Sequence, residues 1–243
     1  GRRRLRRYER VSRAIGQIDR LAMQQDHVMQ PAVDPDQRSL ITITEDLSEM
    51  PILGGNFVEL IKESDEVIDR LVADIDAAEH HVHLQTYIYR NDATGRRVAD
   101  ALVRAADRGV TCRLIVDAVG SRRMLRSLAP DLRRRGVEVI AALSVNPIRR
   151  RLARIDIRNH RKLAVLDGHI GYAGSQNIIN ADYGHRDLAW HDIMARLTGP
   201  AVLQLQLAFL EDWVYEKDEW IDDEKLLPTP TVAGDVPIQV VPS

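Results

Sequence analysis

One cysteine, Cys112, stands in 243 residues. A single thiol excludes an intrachain disulfide framework and any cysteine-based zinc cluster, and it fits a reducing compartment. Aromatic residues are scarce, 5% of the chain with two Phe, where a surface that stacks single-stranded bases would want more of them. No run approaches the ~20 consecutive apolar residues that cross a bilayer, and no stretch reads as a signal peptide. Lysine is rare as well: Lys62, Lys162, Lys217 and Lys225 are all there are, and every other fixed cation is an arginine. The formal net charge of -2 argues against a generic polyanion binder.

What is present is an ordinary globular balance, 44% hydrophobic and 29% charged, enough for one large α/β domain or two small ones. The charge is unevenly spread. Arg2, Arg3, Arg4, Arg6, Arg7, Arg10, Arg13 and Arg20 crowd the first stretch, with Leu5, Tyr8, Ile15, Ile18 and Ala22 at helical steps. This predicts a basic amphipathic helix over 1–29, either solvated, lying on an anionic leaflet, or just cytoplasmic of a missing membrane anchor. The chain opens on Gly1 rather than Met, so further sequence upstream is expected.

Residues 30–55, holding Pro31, Pro35, Pro51, Gly54 and Gly55, read as a linker. From 56 to 227 strands and helices alternate. Strands are expected at Asn56–Lys62, Val82–Tyr89, Val110–Val116 and Val137–Ala142. Helices are expected from a Ser64 cap, over Thr94–Asp107 and over Arg122–Arg135, with Gly109 and Gly136 as stops. A basic loop follows, with Arg149, Arg150, Arg151, Arg154 and Arg158. Then two apolar runs, Lys162–Leu166 and His169–Ala173, flank Asp167-Gly168, a strong hairpin signal. A helix over Pro200–Asp218 should bury one side, with Val202, Leu205, Ala208, Phe209 and Trp213. Residues 228–243 read as a second linker and the opening of another domain. The alternation implies an α/β fold, a mixed β-sheet flanked by helices on both faces.

The chemistry-bearing segment is Asn159-His160-Arg161-Lys162 through Asp167-Gly168, followed by Gly174-Ser175-Gln176-Asn177. Side chains two apart on a strand share a face, so His160 and Lys162 are expected to project together. An ammonium beside an imidazole repels a metal ion and suits an oxyanion. Lys162 can hold a phosphate oxygen while the neutral imidazole attacks phosphorus. The glycine-serine turn and the Asn177 amide add donors. Asp167 lies on the opposite face from Lys162 and also suits the turn itself, so a site role and a structural role both stand open. His80, His81 and His83 invite a zinc reading, but no third ligand lies close in sequence to the pair that shares a face.

This segment resembles the HKD motif of the phospholipase D superfamily. The chain from about Gly55 on resembles the first half of bacterial cardiolipin synthases, through His83–Tyr89, Asp92–Gly95, Asp117–Ser121, Trp190-His191-Asp192 and Phe209–Trp213. The resemblance implies a phospholipase D-like half-domain and a phosphohistidine mechanism without cofactor or metal. It casts His160, Lys162 and Asp167 as the motif residues. It makes Lys162, Ser175 and Asn177 the phosphate-binding set, and Asp192 the carboxylate that orients an imidazole. It also implies transfer of a phosphatidyl group between two phosphatidylglycerol molecules, at the cytoplasmic face of a bacterial inner membrane. A second His-x-Lys is required and this chain holds one, so the partner motif is expected in the rest of a parent chain or in a second copy. The arginines from Arg149 to Arg158 would meet lipid headgroups. Two other readings stay open: a phosphodiesterase or nuclease of the same superfamily, and a non-enzymatic module binding anionic lipid.

Overall fold

The computed structural model describes residues 34–142, 159–183, 192–221 and 223–242. The basic stretch 1–29 and the arginines Arg149, Arg150, Arg151, Arg154 and Arg158 lie outside the described residues. The strands are β1 (Leu53–Ile61), β2 (His81–Thr86), β3 (Thr111–Asp117), β4 (Glu138–Ala142), β5 (Leu163–Leu166), β6 (Ile170–Gly174), β7 (Met194–Thr198) and β8 (Val236–Ile238). They form a mixed sheet in the order β4-β3-β2-β5-β6-β7-β1-β8, flanked by helices. No helix among the described residues is long and apolar enough to cross a membrane.

Contacts divide the chain into two compact units. The unit that carries the candidate chemistry comprises, among the described residues, 60–142, 159–167, 172–183 and 192–195. Here β2 pairs parallel with β3, β3 parallel with β4, and β2 antiparallel with β5. β2 is buried at every position, as expected of a central strand covered on both faces. Helix α2 (Ser64–Ala77) buries Val67, Ile68, Leu71 and Ile75, each contributing roughly 1.5–3 kcal/mol. Its cap position is Glu63, without a side-chain cap bond, so Ser64 is the first helical residue rather than the cap. Helix α3 (Ala93–Asp107) is capped by Asp92, whose Oδ1 accepts from the Gly95 N–H at 2.9 Å. Gly109 and Gly136 take positive φ, 90° and 87°, so both stops fall where the sequence places them. Two short helices, α4 (Arg122–Ser127) and α5 (Ala129–Arg134), replace the single helical stretch, because Pro130 cannot continue the first.

The other unit comprises, among the described residues, 34–59, 168–171, 196–221 and 223–242. Part of the expected linker is helical: α1, Pro35–Ser48, with Asp34 as cap and Pro35 in the first turn. A proline preceded by a capping acid starts helices as readily as it marks loops. Helix α6 (Ala201–Lys217) is buried almost all round, from Ala201 to Leu210 and again at Trp213 and Val214. It does not present the one-sided stripe expected, because Met50, Leu53 and Leu226 complete its core, with Trp220 and Val240 packed against it. Its buried Gln204 donates to the Pro51 carbonyl at 2.6 Å and accepts from the Val240 N–H at 2.9 Å. Pro200 offers α6 no cap, and the buried Asn56 supplies one: its Oδ1 accepts the Ala201 N–H at 2.7 Å.

Candidate active site

The hairpin forms as its Asp-Gly pair demands. Asp167 and Gly168 have φ of 53° and 68°, positive at both central positions, as a type I′ turn requires. β5 before it is short, starting at Leu163. His160 and Lys162 therefore lie just ahead of the strand, not on it as expected, and the pleat does not align them. Tyr87, immediately after β2, does. The His160 ring lies 4.2 Å from the Tyr87 ring, centroid to centroid, and the Lys162 ammonium lies 5.8 Å from the same centroid. The Lys162 amine also donates to the His160 carbonyl at 2.6 Å. Imidazole and ammonium thus both pack against the Tyr87 ring, with His160 exposed and Lys162 half-buried.

Tyr87 is held by the run Asp117–Ser121. The Ser121 hydroxyl donates to the Tyr87 carbonyl at 3.0 Å and accepts the Tyr89 N–H at 2.9 Å. Asp117 accepts the N–H groups of Val119 and Gly120 at 2.8 and 2.7 Å, shaping the turn. At Gly120 a β-carbon would stand 2.5 Å from the Tyr87 carbonyl oxygen, so only glycine admits the approach. Tyr89 is fully buried and donates to the Gly95 carbonyl. It packs, and burial beside Asp100 and Asp92 pushes its phenol well above the ordinary range.

The second wall comes from the segment after β6. The Gly174 N–H donates to the Lys162 carbonyl at 3.3 Å. A β-carbon on Gly174 would stand 2.2 Å from the Ile193 carbonyl oxygen, so the glycine lets the Lys162 and Asp192 segments close on one another. Ser175 is tied to Ile193: its N–H donates to the Ile193 carbonyl at 2.9 Å and its hydroxyl accepts the Ile193 N–H at 3.0 Å. Asn177 is buried, and its Oδ1 accepts the Ile88 N–H at 2.9 Å. That donor fixes the orientation of the amide, which also hydrogen-bonds Tyr183. Burial lowers the pKa of Lys162, and the nearby Asp192 carboxylate opposes the shift. Trp190 and His191 lie outside the described residues.

Asp167 stands apart. Its carboxylate accepts three backbone N–H groups, from Glu79, His80 and His81, each at 2.8 Å. These bonds hold its pKa below the ordinary value against the opposing effect of burial. Five extended residues, roughly 17 Å, separate it from Lys162. Its carboxylate serves the fold at one end of β5, and the imidazole and amine stand at the other. The His81 and His83 rings lie 4.7 Å apart on β2, tilted by 43°, with the Arg113 guanidinium 3.2 Å from the His83 ring nitrogen, a poor neighbour for a metal cation.

Neither Tyr87 nor Tyr183 follows from the spacing of the motif residues. The usable signal for Tyr87 was Gly120-Ser121, a small pair at the end of a parallel strand, where α/β sites gather.

The fold neighbours point one way. NucT from Helicobacter pylori superposes with a TM-score of 0.52 at 17% identity, over 65% of this chain and 96% of that one. A phosphatidylserine synthase from Haemophilus influenzae gives 0.52 at 14% identity, over 71% and 40%. These two show a shared fold. Residues 71–213 match the family described as cardiolipin synthase, PLD-like domain, which identifies that fold as the phospholipase D-like class, and the chain belongs to that family. Cardiolipin synthase A of Klebsiella pneumoniae is 34% identical over 217 residues, 88% of this chain and 44% of the relative. Cardiolipin synthase A of Shigella dysenteriae is 36% identical over 189 residues, 76% and 38%. The chain thus spans less than half the length of these curated relatives.

Proposed function

We propose that the chain supplies one phosphate-handling half of a phosphatidyltransferase of the cardiolipin synthase type. The observation that carries the reading is the convergence of the His160 ring and the Lys162 ammonium on Tyr87. In the proposed reaction His160, as neutral imidazole, attacks the phosphorus of a phosphatidylglycerol. A nitrogen–phosphorus bond forms and the bond from phosphorus to the glycerol headgroup oxygen breaks. A second histidine protonates the departing glycerol. It comes from another His-x-Lys, in the rest of a parent chain or in a second copy. It then takes the proton from the hydroxyl of a second phosphatidylglycerol, whose oxygen displaces His160. Lys162 and Asn177 stabilise the charge that grows on the phosphoryl oxygens. Asp192 sets the field around Lys162 and orients an imidazole. Ser175 acts through Ile193, placing Asp192 rather than touching phosphate. The arginines from Arg149 to Arg158 face headgroups at the cytoplasmic surface of the inner membrane. No step in this scheme needs a metal or cofactor.

The test is to incubate the chain with phosphatidylglycerol, alone and with a fragment carrying the second motif, and to look for diphosphatidylglycerol, glycerol and phosphatidyl label on histidine. His160→Ala should abolish label and turnover and leave lipid binding intact. Turnover that survives His160→Ala overturns the reading. Turnover of a nucleic acid phosphodiester in place of the lipid transfers it to the nuclease alternative.

A further inference from the structure

Beside the His160–Lys162 site, in the same unit, lies an open cavity of about 670 Å³, within the range of small-molecule sites, roughly 300–1,000 Å³. It is lined by the loop after β2, by α4 and by the segment after β6, and Arg90, Arg123 and Arg126 face it. Among the described residues no ion pair or side-chain hydrogen bond engages these three guanidiniums. Three other arginines of the unit are matched: Arg104 with Asp76, Arg113 with Glu138, Arg135 with Asp107. A cluster of unmatched guanidiniums in a concavity favours an anion with several acceptor oxygens. Two carboxylates share the lining. Asp92 is committed to the fold, its oxygens accepting the Gly95 and Asn180 N–H groups at 2.9 and 3.0 Å. Asp182 is exposed at the rim, suited to accept from hydroxyl groups. Tyr183 is part of the wall and hydrogen-bonds Asn177, so cavity and site meet through one side chain.

We infer that this cavity binds the headgroup of a second anionic lipid, a phosphodiester carrying a polyol. Arg90, Arg123 and Arg126 take the phosphate, and Asp182 and Tyr183 take hydroxyls. The inference rests on the proposed transferase reading and adds to it a holding place for the acceptor.

Binding without turnover tests it. The chain is titrated with glycerophosphoglycerol and with inorganic phosphate, and phosphatidylglycerol vesicles are added as competitor against phosphatidylcholine vesicles. The pair Arg123→Ala/Arg126→Ala should weaken glycerophosphoglycerol at least about tenfold, with an unchanged melting temperature. Arg134→Ala, paired outside the cavity with Asp131, should leave the affinity unchanged. Phosphatidylglycerol vesicles should displace the soluble headgroup and phosphatidylcholine vesicles should not. Undiminished affinity in the double variant overturns the site. Equal affinity for inorganic phosphate, or no displacement by phosphatidylglycerol, overturns the lipid assignment. Failure of the transferase reading is separate: it appears as turnover independent of His160, with the titrations unaffected.

Discussion

The two ends of β5 carry the two ends of one motif and do different work. Ahead of the strand, His160 and Lys162 pack against the Tyr87 ring, one exposed and one half-buried. After the strand, the Asp167 carboxylate accepts three backbone N–H groups. The contrast teaches that a spacing pattern can join a reactive pair to the clamp that positions it. The turn fixes where β5 starts and stops, and β5 delivers Lys162 to Tyr87. A carboxylate held by three backbone donors at one end of the strand works on the fold, away from the imidazole and amine at the other end.

The contrast can be broken most sharply at His160. In the active assembly, His160→Ala should cut transfer roughly 10⁴-fold or more while unfolding by denaturant stays unchanged; a modest loss would end the distinction between the two ends. Lys162→Ala comes next, with transfer down roughly 10²–10³-fold, far more than Arg135→Ala, and equal losses in the two variants would remove the oxyanion role. Since burial lowers the pKa of Lys162, its charge is lost at a lower pH than that of an exposed lysine. The alkaline limb of the rate profile should fall early and vanish in Lys162→Ala.

Gly120→Ala tests the support under Tyr87. A β-carbon 2.5 Å from the Tyr87 carbonyl forces that backbone to move, costing about 1–3 kcal/mol. Transfer should fall further than the lost stability explains, measured as rate per folded molecule. Asp167→Asn should move chemistry least. It should cost about 2 kcal/mol of stability and change the rate per folded molecule only a few-fold. The folded pKa of Asp167 lies below its ordinary value. Its contribution is therefore complete above the ordinary carboxylate range, about pH 4, and is lost as pH falls through the folded value. Stability curves of the native chain and Asp167→Asn should converge in acid; a gap that persists there would mean the carboxylate charge is not the stabilising element.

Much of the fold was legible because local physics set it. Gly109, Gly136 and Asp167-Gly168 need positive φ, and those stops and that turn stand where they were expected. The α2 face, Val67, Ile68, Leu71 and Ile75, follows helical spacing into burial. Helix α1 was hidden behind Pro35, whose local preference fits two structures. The surroundings of α6 come from residues far along the chain, such as Met50 and Leu226, which no local pattern reports.

Residue identity and spacing alone determined the reactive types, His160 and Lys162, the hairpin that carries them, and the family, since these depend on backbone preferences within a few residues. Which side chains meet was decided by the tertiary structure. Tyr87 under the imidazole, Asp167 on the loop before β2, and three unmatched arginines around one cavity all join residues separated by tens of positions. Only the pairing of β2 with β3 and β5 brings them within a few ångströms.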